Sequence, residues 1–234
     1  MRVIDRQVKG VYGSPRMTAE LNRRGYVCGE NKIAVLMRTH GIRAKMDRRY
    51  KPRQWAPSSL IRKRNLLENH PGPSKRHEIW VADFTYTKVK GQFIYFSTIM
   101  DLYTRKILGS TISSQRNAEL ALVTLKKAIK TASGRCPKIF HSDRGIEYAN
   151  YLVHHYLKDR GVKQSMSGKG NCYDNAHMES FFHTYKSEFY YHERFGTLKE
   201  FKQKTMNYLQ FYNRRRLHSS LGFQSPTDFE SQAL

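Results

Sequence analysis

Three successive segments in the middle of the chain are rich in Val, Ile, Thr, Tyr and Phe, and they constrain the fold more than any other feature. From residue 79 onward they read IWVADFTYTKV, QFIYFSTIMDL and RKILGSTIS, a composition typical of β-strands. Only Lys90-Gly91 separates the first two segments, and a turn at residues 102–104 leads from the second to the third. Links this short predict that the three strands form an antiparallel meander.

The rest of the chain alternates between helical and strand patterns. The short apolar segments KIFHSD and VKQSMS are predicted to be the fourth and fifth strands. The resulting order, βββαβαβα, predicts an α/β fold in which a mixed five-stranded sheet is flanked by helices. The predicted helices of this part span residues 117–133, 150–160, 174–191 and 198–214.

Three carboxylates occupy positions where folding alone does not favour them. Asp83 interrupts the first strand, and alternation places it on the same face as Val81 and Thr85. Asp143 follows the fourth strand, and Glu179 lies in the first turns of a helix. Carboxylates brought together repel one another unless cations lie between them, and oxygen ligands of this kind suit Mg²⁺ or Mn²⁺. Two such metals can support in-line displacement at a phosphodiester.

Each carboxylate also has an ordinary structural interpretation. Asp83 could be held in the interior by an arginine or by hydroxyl groups. Asp143, followed by Arg144-Gly145, could simply form a turn. Glu179 could be a favourable partner for the helix dipole, because Asp174 is a good N-cap just before it. The loop SGKGNCYDN at 167–175 could close over DNA or could be a plain linker.

The charge of the chain indicates a polyanionic partner. Its formal net charge is +23, with 42 Lys and Arg against 19 Asp and Glu. This favours binding to a nucleic-acid backbone over the alternatives of anionic lipid or an acidic protein. The sequence has no apolar stretch long enough to span a bilayer and no secretory signal pattern, so we expect no membrane association and a cytoplasmic location. Three widely spaced cysteines argue against a disulfide framework.

The first 42 residues are predicted to form a small helical domain of the helix-turn-helix type. Ser14-Pro15 is a typical helix start, and Gly25 and Gly29 bracket a break between two helices. Residues 30–40 occupy the position of a recognition helix. The alternative is a helical hairpin that serves as a spacer.

Residues 43–76 are predicted to be a basic linker arm, with prolines that break regular structure and one possible short helix at 58–68. The arm could follow a DNA backbone, and it could equally be a solvated tether. Residues 77–191 would form the catalytic core, and residues 192–234 a basic helix and tail. The tail, residues 212–229, is expected to face DNA through its basic residues Arg214, Arg215, Arg216 and His218. The alternative is a charged helix end followed by a packed turn at Ser225-Pro226.

The local motifs resemble one family closely. WVADFTY, IYFSTIMDLYTRKILG, FHSDRGIEY, SGKGNCYDNAHMESFFHTYKSE and YNRRRLHSSLGFQSPTDF resemble the B-frame catalytic subunit of bacterial insertion-sequence transposases of the copy-out–paste-in type. This group belongs to the DDE transposase and retroviral integrase superfamily. The resemblance covers nearly the whole chain and implies an RNase H-like core.

The resemblance implies Asp83, Asp143 and Glu179 as catalytic, metal-binding residues that hold Mg²⁺ or Mn²⁺, with two ions in the site. It also implies Lys186 as a DNA contact. The expected partner is double-stranded DNA, both transposon ends and target, bound by a homo-oligomer. Nine further basic residues are candidate DNA contacts: Lys169, Arg144, Arg48, Arg49, Arg62, Lys63, Arg64, Arg214 and Arg215.

The expected reaction is metal-dependent nicking at the 3′ ends of an insertion sequence, followed by strand transfer. Two alternatives stay open at this point: a catalytically inactive DNA-binding regulator, and a purely hydrolytic nuclease of the same fold. The chain has no leucine-zipper heptads, so a separate or fused A-frame partner is expected to supply dimerisation and end specificity, and the active form could be a longer fusion.

Overall fold

The computed structural model describes residues 1–45, 63–168 and 175–232. Among these residues no helix is long and apolar enough to cross a membrane, and Cys28 and Cys136 are free thiols. In chain order the elements are α1 (Arg2–Gln7), α2 (Ser14–Arg23), α3 (Glu30–Thr39), β1 (Ile79–Val89), β2 (Gln92–Asp101), β3 (Ile107–Ser113), α4 (Ala118–Thr131), β4 (Ile139–Ser142), α5 (Tyr151–Lys158), β5 (Lys163–Met166), α6 (Ala176–Glu188), α7 (Leu198–Arg214) and α8 (Pro226–Gln232).

The five strands form one mixed sheet in the order β3-β2-β1-β4-β5. The pairs β3-β2 and β2-β1 are antiparallel, and the pairs β1-β4 and β4-β5 are parallel. Lys90 and Gly91 both have positive φ, 48° and 81°, which a tight hairpin turn requires. The predicted meander and the predicted α/β class are therefore confirmed.

Two apolar cores cover the two faces of the sheet. One core contains Trp80 and Ala82 of β1 and packs against α4 and α5. The other contains Val81 of β1 and packs against α6 and α7. At Gly109, a Cβ atom would lie 2.5 Å from the backbone oxygen of Thr124, so only glycine lets α4 lie this close to β3.

A third core builds the N-terminal helical domain and joins it to the end of the chain. Met17 of α2 and Ile33 of α3 share this core with Leu217, which follows α7. The buried Tyr12 hydroxyl donates to the Arg215 carbonyl at 2.9 Å and accepts from the Leu217 amide at 3.1 Å. The helical domain is thus docked on the C-terminal segment.

The structure changes some details of the sequence-based prediction. Residues 63–68 form no helix, because the backbone of this stretch bonds to β5: the Leu66 amide donates to Ser165 Oγ at 2.9 Å. The rest of the predicted helix at 58–68 lies outside the described residues. The helix predicted at 174–191 spans Ala176–Glu188, and Asp174 lies outside the described residues. Helices α1 and α8 were not predicted.

Candidate active site

The register of the sheet brings Asp83 and Asp143 next to each other. Strands β1 and β4 pair in parallel from Ile79↔Ile139 to Ala82↔Ser142, and the pairing ends there. Asp83 and Asp143 are the next residues on the two strands, where ligand sites of open α/β sheets tend to form.

The two aspartates lie in a desolvated environment that disfavours their charges. Burial raises the pKa of Asp83 well above its usual range, and the charges of Asp143 and then Glu179 raise it further. Burial also raises the pKa of Asp143, although the Gly145 amide, which donates to Asp143 Oδ1 at 2.9 Å, opposes this. Two adjacent carboxylates under these conditions need positive charge beside them to ionise together.

Glu179 reaches the same region from α6. It is exposed in the first turns of the helix, partial desolvation raises its pKa, and its charge is felt at Asp83. Asn175, at the start of α6, donates from Nδ2 to the Ala82 carbonyl at 3.4 Å, which ties this end of the helix to β1 beside Asp83. Residues 169–174 precede this point and lie outside the described residues.

The donor set suits a hard cation, because all three groups are carboxylates and the two half-buried aspartates lie side by side, where the charge of Asp143 disfavours that of Asp83. Within the described parts of the chain, however, no group of three or more His, Cys, Asp or Glu side chains is close enough together to hold a metal ion. In the described residues, the carboxylates are therefore near enough for their charges to affect the pKa of Asp83, but they do not form a complete set of metal ligands.

An ion pair that was not predicted flanks Asp143. Arg116 Nε lies 2.6 Å from Glu147 Oε1, and Arg116 Nη2 donates to Glu147 Oε2 at 3.1 Å. The Glu147 side chain is only 1% exposed. A Cβ atom on Gly145 would lie 2.8 Å from both Asp143 Oδ1 and Glu147 Oε2, so the two carboxylates closely flank this glycine. The charge of Arg116 partly opposes the rise that burial causes in the pKa of both Asp83 and Asp143.

The predicted DNA contacts have different surroundings. Lys186 is only 5% exposed, and burial lowers its pKa to about 8 while the charge of Asp83 opposes this shift. The Nε atom of Arg144 donates to the Ser167 carbonyl at 2.7 Å. Lys63 Nζ lies 3.4 Å from His154 Nε2. Arg64, Arg214 and Arg215 are exposed, whereas Lys169, Arg48, Arg49 and Arg62 lie outside the described residues.

Two residues of the tail do not face solvent as expected. Arg216 is 4% exposed and His218 is 8% exposed. Arg216 is held by Glu188 through two hydrogen bonds of 2.7 and 2.6 Å, and His218 Nδ1 lies 3.4 Å from Arg216 Nη1, so burial excludes both residues from a DNA-facing surface. The expectation that they face DNA was wrong.

Known proteins resemble the chain along almost its whole length. Two models described as Integrase core domain match residues 73–172 and 160–226, and one described as HTH-like domain matches residues 1–50. Transposase InsF for insertion sequence IS3A, from Escherichia coli (strain K12), is 35% identical over 95% of this chain and 78% of its own length. The chain belongs to the insertion-sequence transposase family. It is accordingly a DDE-type polynucleotidyl transferase with an integrase core, and integrase cores are metal-dependent as a family.

A second sequence relative and two solved structures are also similar to this transposase, the structures in fold alone. The Insertion element IS600 uncharacterized 31 kDa protein of Shigella sonnei is 34% identical over 99% of this chain and 86% of its own length. The simian T-cell lymphotropic virus intasome shares the fold, with a TM-score of 0.56 at 17% identity over 91% of this chain and 70% of that chain. The HTLV-2 integrase catalytic core domain in complex with magnesium has a TM-score of 0.50 at 13% identity, over 67% of the transposase and 98% of that chain.

Proposed function

We propose that this transposase nicks the ends of an insertion sequence and joins the freed 3′ ends to another DNA strand. Asp83, Asp143 and Glu179 are the proposed ligands of two divalent ions, Mg²⁺ or Mn²⁺. The observation that carries this proposal is the juxtaposition of Asp83 and Asp143 directly beyond the last parallel strand pair, with the charge of Glu179 acting on Asp83.

The protein contributes to the reaction by positioning the three carboxylates. β1 fixes Asp83 beside β2 and just beyond the end of β4, and the Gly145 amide fixes one oxygen of Asp143. Helix α6 carries Glu179, which lies beside open solvent and can approach the aspartates from the side of the substrate. When bound, divalent ions at such carboxylates activate an attacking oxygen and stabilise the leaving oxygen of a phosphodiester.

The substrate is proposed to be double-stranded DNA, both transposon ends and target. Its backbone would be neutralised by an excess of cationic side chains, which the net charge of +23 supplies. The proposed contacts are Lys186, Arg144, Lys63, Arg64, Arg214 and Arg215, together with Lys169, Arg48, Arg49 and Arg62. We further propose a homo-oligomer, assisted by a separate or fused A-frame partner.

A nicking assay tests the function. A duplex that carries the terminal inverted repeat, labelled on one strand, is incubated with the protein and Mg²⁺, with and without the product of the upstream reading frame. We expect a single nick at the repeat end and, with target DNA present, joined products; EDTA should abolish both. Specific binding without any nick would indicate a regulator, and nicking without joining would indicate a hydrolytic nuclease.

We propose that α3 recognises the terminal inverted repeat. Asn31, Lys32, Val35 and Arg38 lie on its exposed side, while Ile33 and Met37 face the core. Residues near the start of a recognition helix read base edges in the major groove. Replacing Asn31 with alanine is therefore expected to cost about 1–3 kcal/mol of discrimination between the repeat and an unrelated duplex.

Competition binding with the two duplexes measures this discrimination. The control is Arg6→Ala on α1, an exposed position outside α3, which should leave the ratio of affinities unchanged. If Asn31→Ala also leaves the ratio unchanged, α2 and α3 serve as a spacer and the repeat is read elsewhere.

The ion pair between Arg116 and Glu147 is proposed to position the Asp143 loop. Replacing Glu147 with alanine removes the buried partner of Arg116 and leaves a gap beside Asp143, so we expect the nicking rate to fall about tenfold or more. Arg116→Ala should have a similar effect, and the double variant should be little worse than either single one, because the residues act as a unit.

Single-turnover nicking by the three variants tests this coupling. Glu119→Gln, an exposed acid on the neighbouring helix α4, should behave like the wild type. Fully additive effects of Arg116→Ala and Glu147→Ala would show that the two residues do not act through each other.

A further inference from the structure

The hairpin between β1 and β2 exposes two aromatic rings that the fold does not use. Tyr86 is 44% exposed and Phe93 is 49% exposed. Their ring centroids lie 5.6 Å apart in an edge-to-face arrangement. Both residues lie on one face of the hairpin, since Phe93 is opposite Lys88 and Tyr86 is opposite Tyr95. Exposed apolar groups that cluster in this way indicate a binding surface.

A lysine ammonium lies over each of the two rings. Lys88 Nζ lies 4.9 Å from the centroid of Phe93, and Lys186 Nζ lies 5.5 Å from the centroid of Tyr86. Lys90 is exposed at the hairpin turn. We name Tyr86, Lys88, Lys90, Phe93 and the Lys186 ammonium the hairpin face. Such a surface offers stacking planes together with positive charge.

The hairpin face adjoins the candidate active site. Tyr86 follows Asp83 by three residues on β1, a separation of about 10 Å along a strand. Lys186 links the two places, because its ammonium lies over Tyr86 and interacts electrostatically with Asp83. Tyr86 and Asp83 are an odd number of residues apart, so their side chains lie on opposite faces of β1, and Lys186 is the contact that brings the hairpin face close to the active site.

Two other occupants fit this surface less well. The chain's own arm at 46–62 contains Arg48, Arg49, Lys51, Arg53 and Arg62, so the lysines of the hairpin face would repel it. A partner strand added to the edge of β1 would need the backbone of Lys88, but the Tyr190 hydroxyl already accepts from its amide and donates to its carbonyl, both at 2.9 Å.

We propose that the hairpin face binds unpaired bases of the DNA that flanks the cleaved phosphodiester. Bases would stack on Tyr86 and Phe93, while Lys88 and Lys90 would contact the adjoining phosphates. The inference rests on the proposed function in one respect, that the transposase acts on a DNA end. It adds to that function a preference for a frayed end over a fully paired one.

The test is equilibrium binding, measured by fluorescence anisotropy in the absence of divalent metal so that no chemistry intervenes. Two duplexes carry the same terminal repeat, one fully paired and one with an unpaired flank that contains 2-aminopurine. We expect the wild type to prefer the frayed duplex and to quench the 2-aminopurine. Tyr86→Ala with Phe93→Ala should weaken binding of the frayed duplex about tenfold and of the paired duplex less than twofold.

Matched variants separate stacking from damage to the fold. Tyr86→Phe keeps the ring and should keep both the affinity and the quenching. Tyr151→Ala removes a ring that is 65% exposed at the start of α5, and it should change nothing. If the double alanine variant fails to fold by circular dichroism, Tyr86→Leu and Phe93→Leu carry the same test, because they keep apolar volume without an aromatic plane.

Three outcomes would overturn the proposal: unchanged binding of the frayed duplex, equal losses for both duplexes, or a change in oligomeric state with unchanged DNA affinity. The last outcome would identify the hairpin face as a protein contact. Failure of the proposed chemistry is distinguishable, because a transposase that never nicks DNA could still show the preference for frayed ends in this assay.

Discussion

Asp83→Asn, Asp143→Asn and Glu179→Gln are each expected to lower nicking and strand transfer by at least about a thousandfold, or about 4 kcal/mol of transition-state stabilisation. Each amide keeps the size of the side chain it replaces and removes the negative charge. The reaction at a phosphodiester depends on charge brought to the oxygens that attack and leave. Without one carboxylate, the remaining two lack the charge needed to hold the proposed pair of ions.

The structure adds an expectation about stability that activity alone does not test. Asp83 and Asp143 are half-buried beside each other, and the charge of Asp143 opposes ionisation of Asp83. Asp83→Asn should therefore not destabilise the metal-free protein, and it should remove most of the stabilisation that Mg²⁺ gives to the wild type. Thermal unfolding with and without Mg²⁺ measures both effects.

The control for the carboxylate variants is Asp159→Asn, an exposed position at the end of α5, which should leave activity and the Mg²⁺ effect intact. Binding of the terminal repeat should survive in all four variants. Substantial nicking by any one of the three carboxylate variants would remove that residue from the proposed site.

Much of the fold was predictable because its signals are local. The composition of β1 and β2 and the turn at Lys90-Gly91 fix a hairpin without reference to the rest of the chain. The positions of Asp83 and Asp143 at the ends of two apolar segments also followed from the sequence. Their adjacency needed one further fact, the parallel register Ala82↔Ser142, which joins residues distant in the chain and which the order of elements alone does not give.

The parts that could not be predicted depend on contacts between distant residues. Arg116 and Glu147 come from different loops, and neither has a local pattern that reveals an ion pair. Arg216 was interpreted with its exposed neighbours Arg214 and Arg215 as one basic run. The sequence alone does not show that Arg216 forms a buried ion pair with Glu188. Helices α1 and α8 have six and seven residues, too few for periodicity to identify them.

Glu188→Gln is expected to destabilise the whole protein by about 3–5 kcal/mol, because it leaves the buried charge of Arg216 uncompensated. Arg216 donates to both oxygens of Glu188, at 2.7 and 2.6 Å. Burial opposes the charge on Arg216, yet the hydrogen bonds and charge of Glu188 keep its pKa above the usual value. Arg16 of α2 and the Tyr208 hydroxyl of α7 contact the same carboxylate, at 3.3 and 3.1 Å.

These contacts make Glu188 the point where three parts of the chain meet: the helical domain through Arg16, the core through α6, and the C-terminal segment through Arg216. Urea unfolding measures the loss of stability. The double variant Glu188→Leu with Arg216→Met should lose clearly less free energy of unfolding than the sum of the losses of the two single variants. Lys138→Met breaks an ion pair with Glu78 whose lysine is 64% exposed, and it should cost about 1 kcal/mol at most. Glu188 is the last residue of α6, the helix that carries Glu179. If Glu188→Gln lowers the free energy of unfolding no more than Lys138→Met does, this network does not hold the helical domain to that helix.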